Sequence, residues 1–166
     1  MNQSEFYGVV SAINFTLLGL WWVAIKDRSD LGGHDPAARR MAYFVSLQFV
    51  IPATVSLLAQ VAPSVPEVWR FAFTLAGLTG GVGVAMLARE LSRSTDAKVI
   101  PLLFAGAGIP LYVSVVVVAL VPGLIANLGL SLKPIEVEGF LLSILVFLGV
   151  QEAWFVAMTP SRNDTL

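Results

Sequence analysis

Glu152 stands out chemically in this 166-residue sequence, because its carboxyl group lies inside an otherwise apolar run. It lies about six residues before the end of the run from Gly139 to Met158, or roughly 9 Å deep at 1.5 Å per residue in a helix. A carboxylate that faces lipid at that depth costs about 2 kcal/mol or more. Three roles are open: a protonated acid, a partner of an arginine from a nearby loop, or a cation or proton site on an aqueous path.

Polar residues recur at intervals of three or four in the first apolar segment, which puts them on one face of a helix. They are Ser4, Tyr7, Ser11 and Asn14, and the face continues with Leu18 and Trp21. One interpretation is a polar vestibule that narrows to an apolar constriction at Leu18 and Trp21. The other is hydrogen bonding between helices through Asn14, with Trp21 in the aromatic belt at the membrane surface.

The second apolar segment has a polar or special residue at every fourth position, namely Gln48, Pro52, Ser56 and Gln60. Pro52 has no backbone N–H, so it leaves a carbonyl near Gln48 without its helical partner. That carbonyl can coordinate an ion, or the proline can simply kink a helix that packs against a neighbour.

The third apolar segment is rich in small residues, and Gly77 and Gly81 form a GxxxG pair. Glycines at this spacing let two helices approach closely. We therefore expect helix packing there, within one subunit or between subunits.

The composition identifies the class of protein. Hydrophobic residues make up 57% of the chain and charged residues 13%, with a net charge of -1, whereas ordinary soluble domains are about 45–50% apolar and about 25% charged. A disordered, collagenous or nucleic-acid-binding protein is excluded, since no basic surface is available for a polyanion.

We expect no metal, cofactor or enzymatic activity, because the chain has no cysteine, and its one histidine, His34, lies in a loop.

Five apolar runs are long enough to span a bilayer, since a spanning helix needs roughly 20 residues. We predict an all-α polytopic helix bundle, a single transmembrane domain over residues 1–166, with spans at about 6–25, 37–61, 68–88, 99–121 and 139–158. Candidate helix caps are Asp35 before Pro36, Ser64 with Glu67, and Ser94 to Asp96. Residues 122–138 are expected to form a helix or turn in the interface, or a re-entrant loop.

Basic residues predict the orientation. With the N-terminus outside, the cytoplasmic segments hold eight of the ten lysines and arginines, and only Arg70 and Lys133 lie outside. Cytoplasmic loops of membrane proteins carry this excess. The expected C-terminus is therefore cytoplasmic, and the expected setting is a bacterial or archaeal cytoplasmic membrane.

The functional hypothesis is a homo-oligomeric membrane channel or permeation pore for small ions. Its expected wall is formed by Ser11, Asn14, Gln48, Ser56 and Gln60, with Leu18 and Trp21 as the constriction and Glu152 as an ion or proton site. Symmetric association is how a small chain builds a larger structure. The alternative is a non-catalytic accessory subunit of a larger membrane complex, docked through its glycine-rich helix. The expected surroundings are the lipid bilayer, with no nucleic acid and no cofactor.

Overall fold

All regular structure in the described part of the chain is helical. The computed structural model describes residues 2–26, 36–61, 65–94 and 99–158. The helices are α1 (Gln3–Lys26), α2 (Pro36–Val61), α3 (Pro66–Ser94), α4 (Val99–Leu120), the short α5 (Gly123–Asn127) and α6 (Pro134–Met158). The five long helices are each long and apolar enough to cross a membrane, which confirms the all-α fold and indicates an integral membrane protein.

Each long helix packs against the next along the chain, and α6 completes the bundle by packing on α1 and α4. Helix α6 also contacts α2, so it touches three of the other four long helices. The beginnings of α1 and α6 lie together, where the Tyr7 hydroxyl meets the Ile135 carbonyl. We name this the Tyr7 end of the bundle, and the opposite end, with Trp21, the Trp21 end.

Polar contacts at both ends join neighbouring helices. At the Tyr7 end, the Arg70 guanidinium donates to the carbonyls of Ala119 and Leu120, at 2.7 and 2.9 Å. These carbonyls end α4 and lack helical partners, so a cation stabilises them. At the Trp21 end, Arg40 of α2 forms an ion pair with Glu90 of α3 at 3.2 Å.

The last helix begins earlier than the hydropathy pattern indicates. We predicted its start at about Gly139, but α6 begins at Pro134. Proline suits the first helical position, and the Glu136 carboxylate accepts the backbone N–H of Lys133 at 2.8 Å, which caps the helix. Consequently Glu138, which we had assigned to the connecting segment, lies inside the helix. The rest of that segment forms α5 and a turn at Gly129, whose φ is +73°.

Several sequence expectations concern residues outside the described ranges. They include the caps at Asp35, Ser64 and Asp96, the loop histidine His34, and the basic residues Arg28, Lys98 and Arg162.

Glycines allow α3 and α4 to pack closely. A Cβ atom at Gly77 would lie 2.6 Å from Val116 Cγ2 and 2.9 Å from the Tyr112 carbonyl oxygen. A Cβ at Gly80 would overlap the Tyr112 ring, whereas at Gly81 it would lie 3.5 Å from Tyr112 Cβ, an ordinary contact. Gly77 and Gly81 of the GxxxG pair therefore lie beside α4 of the same chain.

We expect Gly80→Ala to destabilise the protein and Gly81→Ala to leave it unchanged or slightly more stable. The Gly80 methyl group overlaps a buried ring, and overpacking of this kind costs about 1–3 kcal/mol. The Gly81 methyl group has room, and alanine is a better helix former than glycine by about 1 kcal/mol. Thermal unfolding of the two variants in detergent measures the difference. Equal unfolding temperatures would contradict this packing.

Candidate functional site

The buried face of α6 carries two acidic residues. Its residues follow a regular alternation of three and four, and the face comprises Glu138, Leu142, Leu145, Gly149, Glu152 and Val156. Both glutamates are 0% exposed. They are 14 residues apart in sequence, so they lie on one side of the helix about four turns, or about 21 Å, apart. The hydrocarbon core of a bilayer is about 30 Å thick.

Glu138 lies beside a buried tyrosine of α1. The Tyr7 hydroxyl donates to the carbonyl of Ile135 at 2.6 Å. A helical carbonyl points toward the residue three or four positions later, so the hydroxyl lies at the level of Glu138 and Gly139. Phe6 also contacts α6 there, since a Cβ at Gly139 would lie 2.9 Å from Phe6 Cε1. Neither Glu138 oxygen has a hydrogen-bond partner among the described residues.

Glu152 lies near a second buried tyrosine, in α4. The Tyr112 hydroxyl donates to Gln48 Oε1 at 2.7 Å. Gln48 packs on Gly149, where a Cβ would lie 3.1 Å from Gln48 Cβ. Glu152 follows one turn after Gly149 on the same face of α6, and therefore lies about one turn from this contact. In the described ranges its carboxylate oxygens also have no hydrogen-bond partner.

The Gln48 carbonyl that Pro52 leaves without a helical partner is turned toward α6. Its oxygen lies 3.6 Å from the position of a Cβ on Gly149. The backbone of α2 therefore presents this carbonyl, which has no N–H donor at Pro52, to the helix that carries both acids, together with the Gln48 side chain. The Nε2 atom of Gln48 has no hydrogen-bond partner within the described part of the chain.

The polar faces expected on the first two long helices are buried within the protomer. The buried members are Ser11, Asn14, Gln48 and Ser56. Ser11 donates to the Ala53 carbonyl at 3.1 Å, and Asn14 donates to the Val10 carbonyl of its own helix at 2.8 Å. Half-buried Gln60 donates to the Ser4 carbonyl at 3.4 Å, at the Tyr7 end. The Asn14 Oδ1 and Ser56 Oγ atoms have no partner in the described ranges.

An apolar layer lies at the Trp21 end of the bundle. Leu18 and Trp21, the expected constriction, belong to a buried cluster with residues of α2, α3 and α6: Ala38, Ala42, Val45, Phe49, Leu87, Leu91 and Val156. The Trp21 indole donates to the Ala42 carbonyl at 3.1 Å, which ties α1 to α2. Val156 of this layer follows Glu152 by one helical turn on the buried face of α6.

A cavity of about 420 Å³ lies between the beginnings of α1 and α6. Tyr7 and Ile135 are part of its wall, together with Gln3, Phe6, Glu136 and Ser143. The two ends of the described bundle therefore differ: the cavity lies beside Tyr7 and Ile135 at one end, and the apolar layer lies at the other.

Sequence reasoning missed Glu138 and Tyr112 as site residues. The first lies in the acidic stretch Glu136-Val-Glu138, which lowers the local hydropathy and so places it outside the span. The spacing of α6 contains the missing signal, because the stripe through Leu142, Leu145 and Gly149 extends back to Glu138. Tyr112 has no such signal, since its segment has no polar stripe.

No family model, curated protein or solved structure matches this chain.

We expect Tyr112→Phe to lower the free energy of unfolding by about 1–3 kcal/mol, because it leaves the buried side-chain oxygen Oε1 of Gln48 without its donor. Tyr43→Phe is the matched control, since Tyr43 is exposed. Thermal unfolding in detergent compares the two. A Tyr112→Phe variant as stable as the control would show that this hydrogen bond does not hold the site together.

Proposed function

We propose that this protein is a membrane permeation protein for a small cation or a proton, and that the path runs inside the protomer between α1, α2, α4 and α6. One observation carries the proposal: two fully buried carboxyl groups, Glu138 and Glu152, lie about 21 Å apart on one face of α6. They lie near opposite ends of the bundle, and α6 brings both into its interior.

Unpartnered acids in this position are costly unless they bind something. Measurements of helix insertion give a free-energy cost of about 2.5–3.5 kcal/mol for a charged residue at the centre of a membrane helix. Neither glutamate has a hydrogen bond or an ion pair in the described part of the chain to offset that cost. Binding of a cation or a proton offsets it directly. Intramembrane acids are accordingly typical of ion pathways and proton relays.

Polar groups on the neighbouring helices support a path between the two acids. Ser11, Asn14 and Ser56 lie buried in α1 and α2 between the Tyr7 end and Gln48. On α6 itself, Leu142 and Leu145 lie between the glutamates and are each 2% exposed. An apolar stretch of this kind blocks ions when it is dry and admits them when it is hydrated. We infer that hydration of this stretch opens the path.

The proposal retains the setting expected from the sequence: a bacterial or archaeal cytoplasmic membrane, with the N-terminus outside and the copies assembled as a homo-oligomer. The excess of lysine and arginine on one side of the spans supports this orientation. The Tyr7 end then faces outward and the Trp21 end faces the cytoplasm. Because the path lies inside each copy, an oligomer multiplies the paths.

We expect Glu138→Gln and Glu152→Gln each to reduce cation or proton flux into proteoliposomes by about tenfold or more, because glutamine does not titrate and has no negative charge to balance a cation. Flux is followed with ion- and pH-sensitive dyes trapped inside the vesicles. Glu67→Gln is the matched control, since Glu67 is exposed at the beginning of α3.

The outcomes separate the hypotheses. The path is supported if the wild type and the Glu67→Gln variant conduct ions and both the Glu138→Gln and the Glu152→Gln variants do not. Wild-type flux that persists in both buried variants would contradict it. Vesicles that pass neither protons nor Na⁺ or K⁺ would reject permeation and favour the accessory-subunit alternative.

The orientation has its own test, because the chain has no cysteine and a single introduced thiol can be labelled selectively. Leu130→Cys places a thiol on an exposed turn at the Tyr7 end, and Arg93→Cys places one on the exposed end of α3. A membrane-impermeant maleimide added to intact cells should label the Leu130→Cys variant, and label the Arg93→Cys variant only after permeabilisation. The opposite pattern would invert the orientation.

A further inference from the structure

The cavity between α1 and α6 leads toward the first of the two acids. Its wall includes Tyr7 and Ile135, which are joined by a 2.6 Å hydrogen bond. Glu138 follows Ile135 by one helical turn and is fully buried. Tyr7 therefore supplies a hydroxyl group that belongs to the cavity wall and lies within about one helical turn of Glu138.

The Tyr7 side chain obstructs ions that need space. Tyr7 is 1% exposed, and its ring packs edge-on against Phe73 and Phe6, with ring centroids 6.2 and 5.4 Å away. A phenol hydroxyl both donates and accepts a hydrogen bond. A proton can therefore cross this barrier by transfer between oxygen atoms, whereas a metal cation requires the ring to move aside.

The ligands around each acid also favour a proton. Calcium takes 6–8 oxygen ligands, and within the described ranges no group of three acidic, histidine or cysteine residues is found. Tyr7 of α1 lies within about one helical turn of Glu138 through its bond to Ile135, and Tyr112 of α4 lies about one turn from Glu152 through Gln48 and Gly149. A proton needs one carboxyl oxygen, which each glutamate supplies.

We infer that the permeating ion is the proton, and that it passes from the α1–α6 cavity through the Tyr7 hydroxyl to Glu138. This inference rests on the proposed function and specifies its ion and its route. It also assigns Tyr7 a role beyond packing, as the proton-transferring group between the cavity and the first acid.

The transfer conserves atoms and charge. The Tyr7 hydroxyl turns about its C–O bond from the Ile135 carbonyl toward the Glu138 carboxylate. A hydronium ion in the cavity then gives a proton to the hydroxyl oxygen, and the original hydroxyl proton passes to the carboxylate. A water molecule remains in the cavity, Tyr7 is again a neutral phenol, and Glu138 is a neutral carboxylic acid. The return of the hydroxyl to Ile135 completes the step.

The test measures proton flux in proteoliposomes that contain a pH-sensitive dye, with a potassium gradient and valinomycin to drive uptake. Tyr7→Phe keeps the ring and its packing but removes the hydroxyl, so we expect proton uptake to fall by at least about tenfold. Tyr43→Phe, at an exposed tyrosine, should match the wild type. Parallel vesicles with Na⁺- and K⁺-sensitive dyes measure metal-cation flux.

A second variant tests the cavity without altering Tyr7. Ser143 lies in the cavity wall, and Ser143→Cys creates the one thiol of the chain with little change in size. A charged methanethiosulfonate reagent should stop proton uptake by this variant and leave the wild type unaffected. Full uptake after complete modification would overturn the route through the cavity.

The remaining outcomes distinguish this inference from the proposed function. Proton uptake by Tyr7→Phe at the wild-type rate would overturn the role of the hydroxyl. Flux of Na⁺ or K⁺ without proton flux would overturn the proton while the permeation function stands. Vesicles tight to all three ions would reject the permeation function itself.

Discussion

The hydrocarbon core of a membrane offers no hydrogen bonds, so a buried polar side chain must find its partner inside the protein. This constraint determines how the helices are joined here. The Tyr7 hydroxyl of α1 donates to a backbone carbonyl of α6. Ser11 and Trp21, also of α1, donate to backbone carbonyls of α2. Each such bond favours one register of two helices, because a shift of one residue would take the donor away from its acceptor. The two glutamates are the acids that this network does not satisfy, which is why we place the function there.

Close packing and chemistry depend on the same residues at the centre of the bundle. The Tyr112 ring occupies space that the absence of a side chain at Gly80 leaves open. From there its hydroxyl reaches Gln48, which rests on Gly149 of α6. Two glycines thus bring α4, α2 and α6 together around one hydrogen bond, one turn from Glu152. A movement of α6 that exposes Glu152 must also change this contact, so the position of α6 and access to the acid are coupled.

The five long helices could be predicted from hydropathy alone, because the length of a spanning run is set by the thickness of the bilayer. The polar faces of the first two could be predicted from spacing, and Ser11, Asn14, Gln48 and Ser56 are indeed buried. Spacing identifies which side chains share a face but not which helix that face meets. The contact of Gln48 with Tyr112 therefore required the structure. Glu138 was missed for another reason: hydropathy locates a helix end by its charges, and here a charged residue lies within the helix.

The two acids share a face of α6 but differ in access, and this asymmetry bears on how a proton would cross. Glu138 lies one helical turn from Ile135 of the cavity wall, whereas Glu152 lies one turn from Val156 of the apolar layer that includes Leu18 and Trp21. Leu142 and Leu145 lie between the acids, and a proton cannot hop across two leucine side chains without a chain of hydrogen-bonding groups. Crossing therefore requires water between the acids, or a turn of α6 that brings each acid to the polar groups of α1 and α2. A turn of α6 would also change the contact of Gln48 with Gly149, so on the proposed function that contact is coupled to transfer between Glu138 and Glu152.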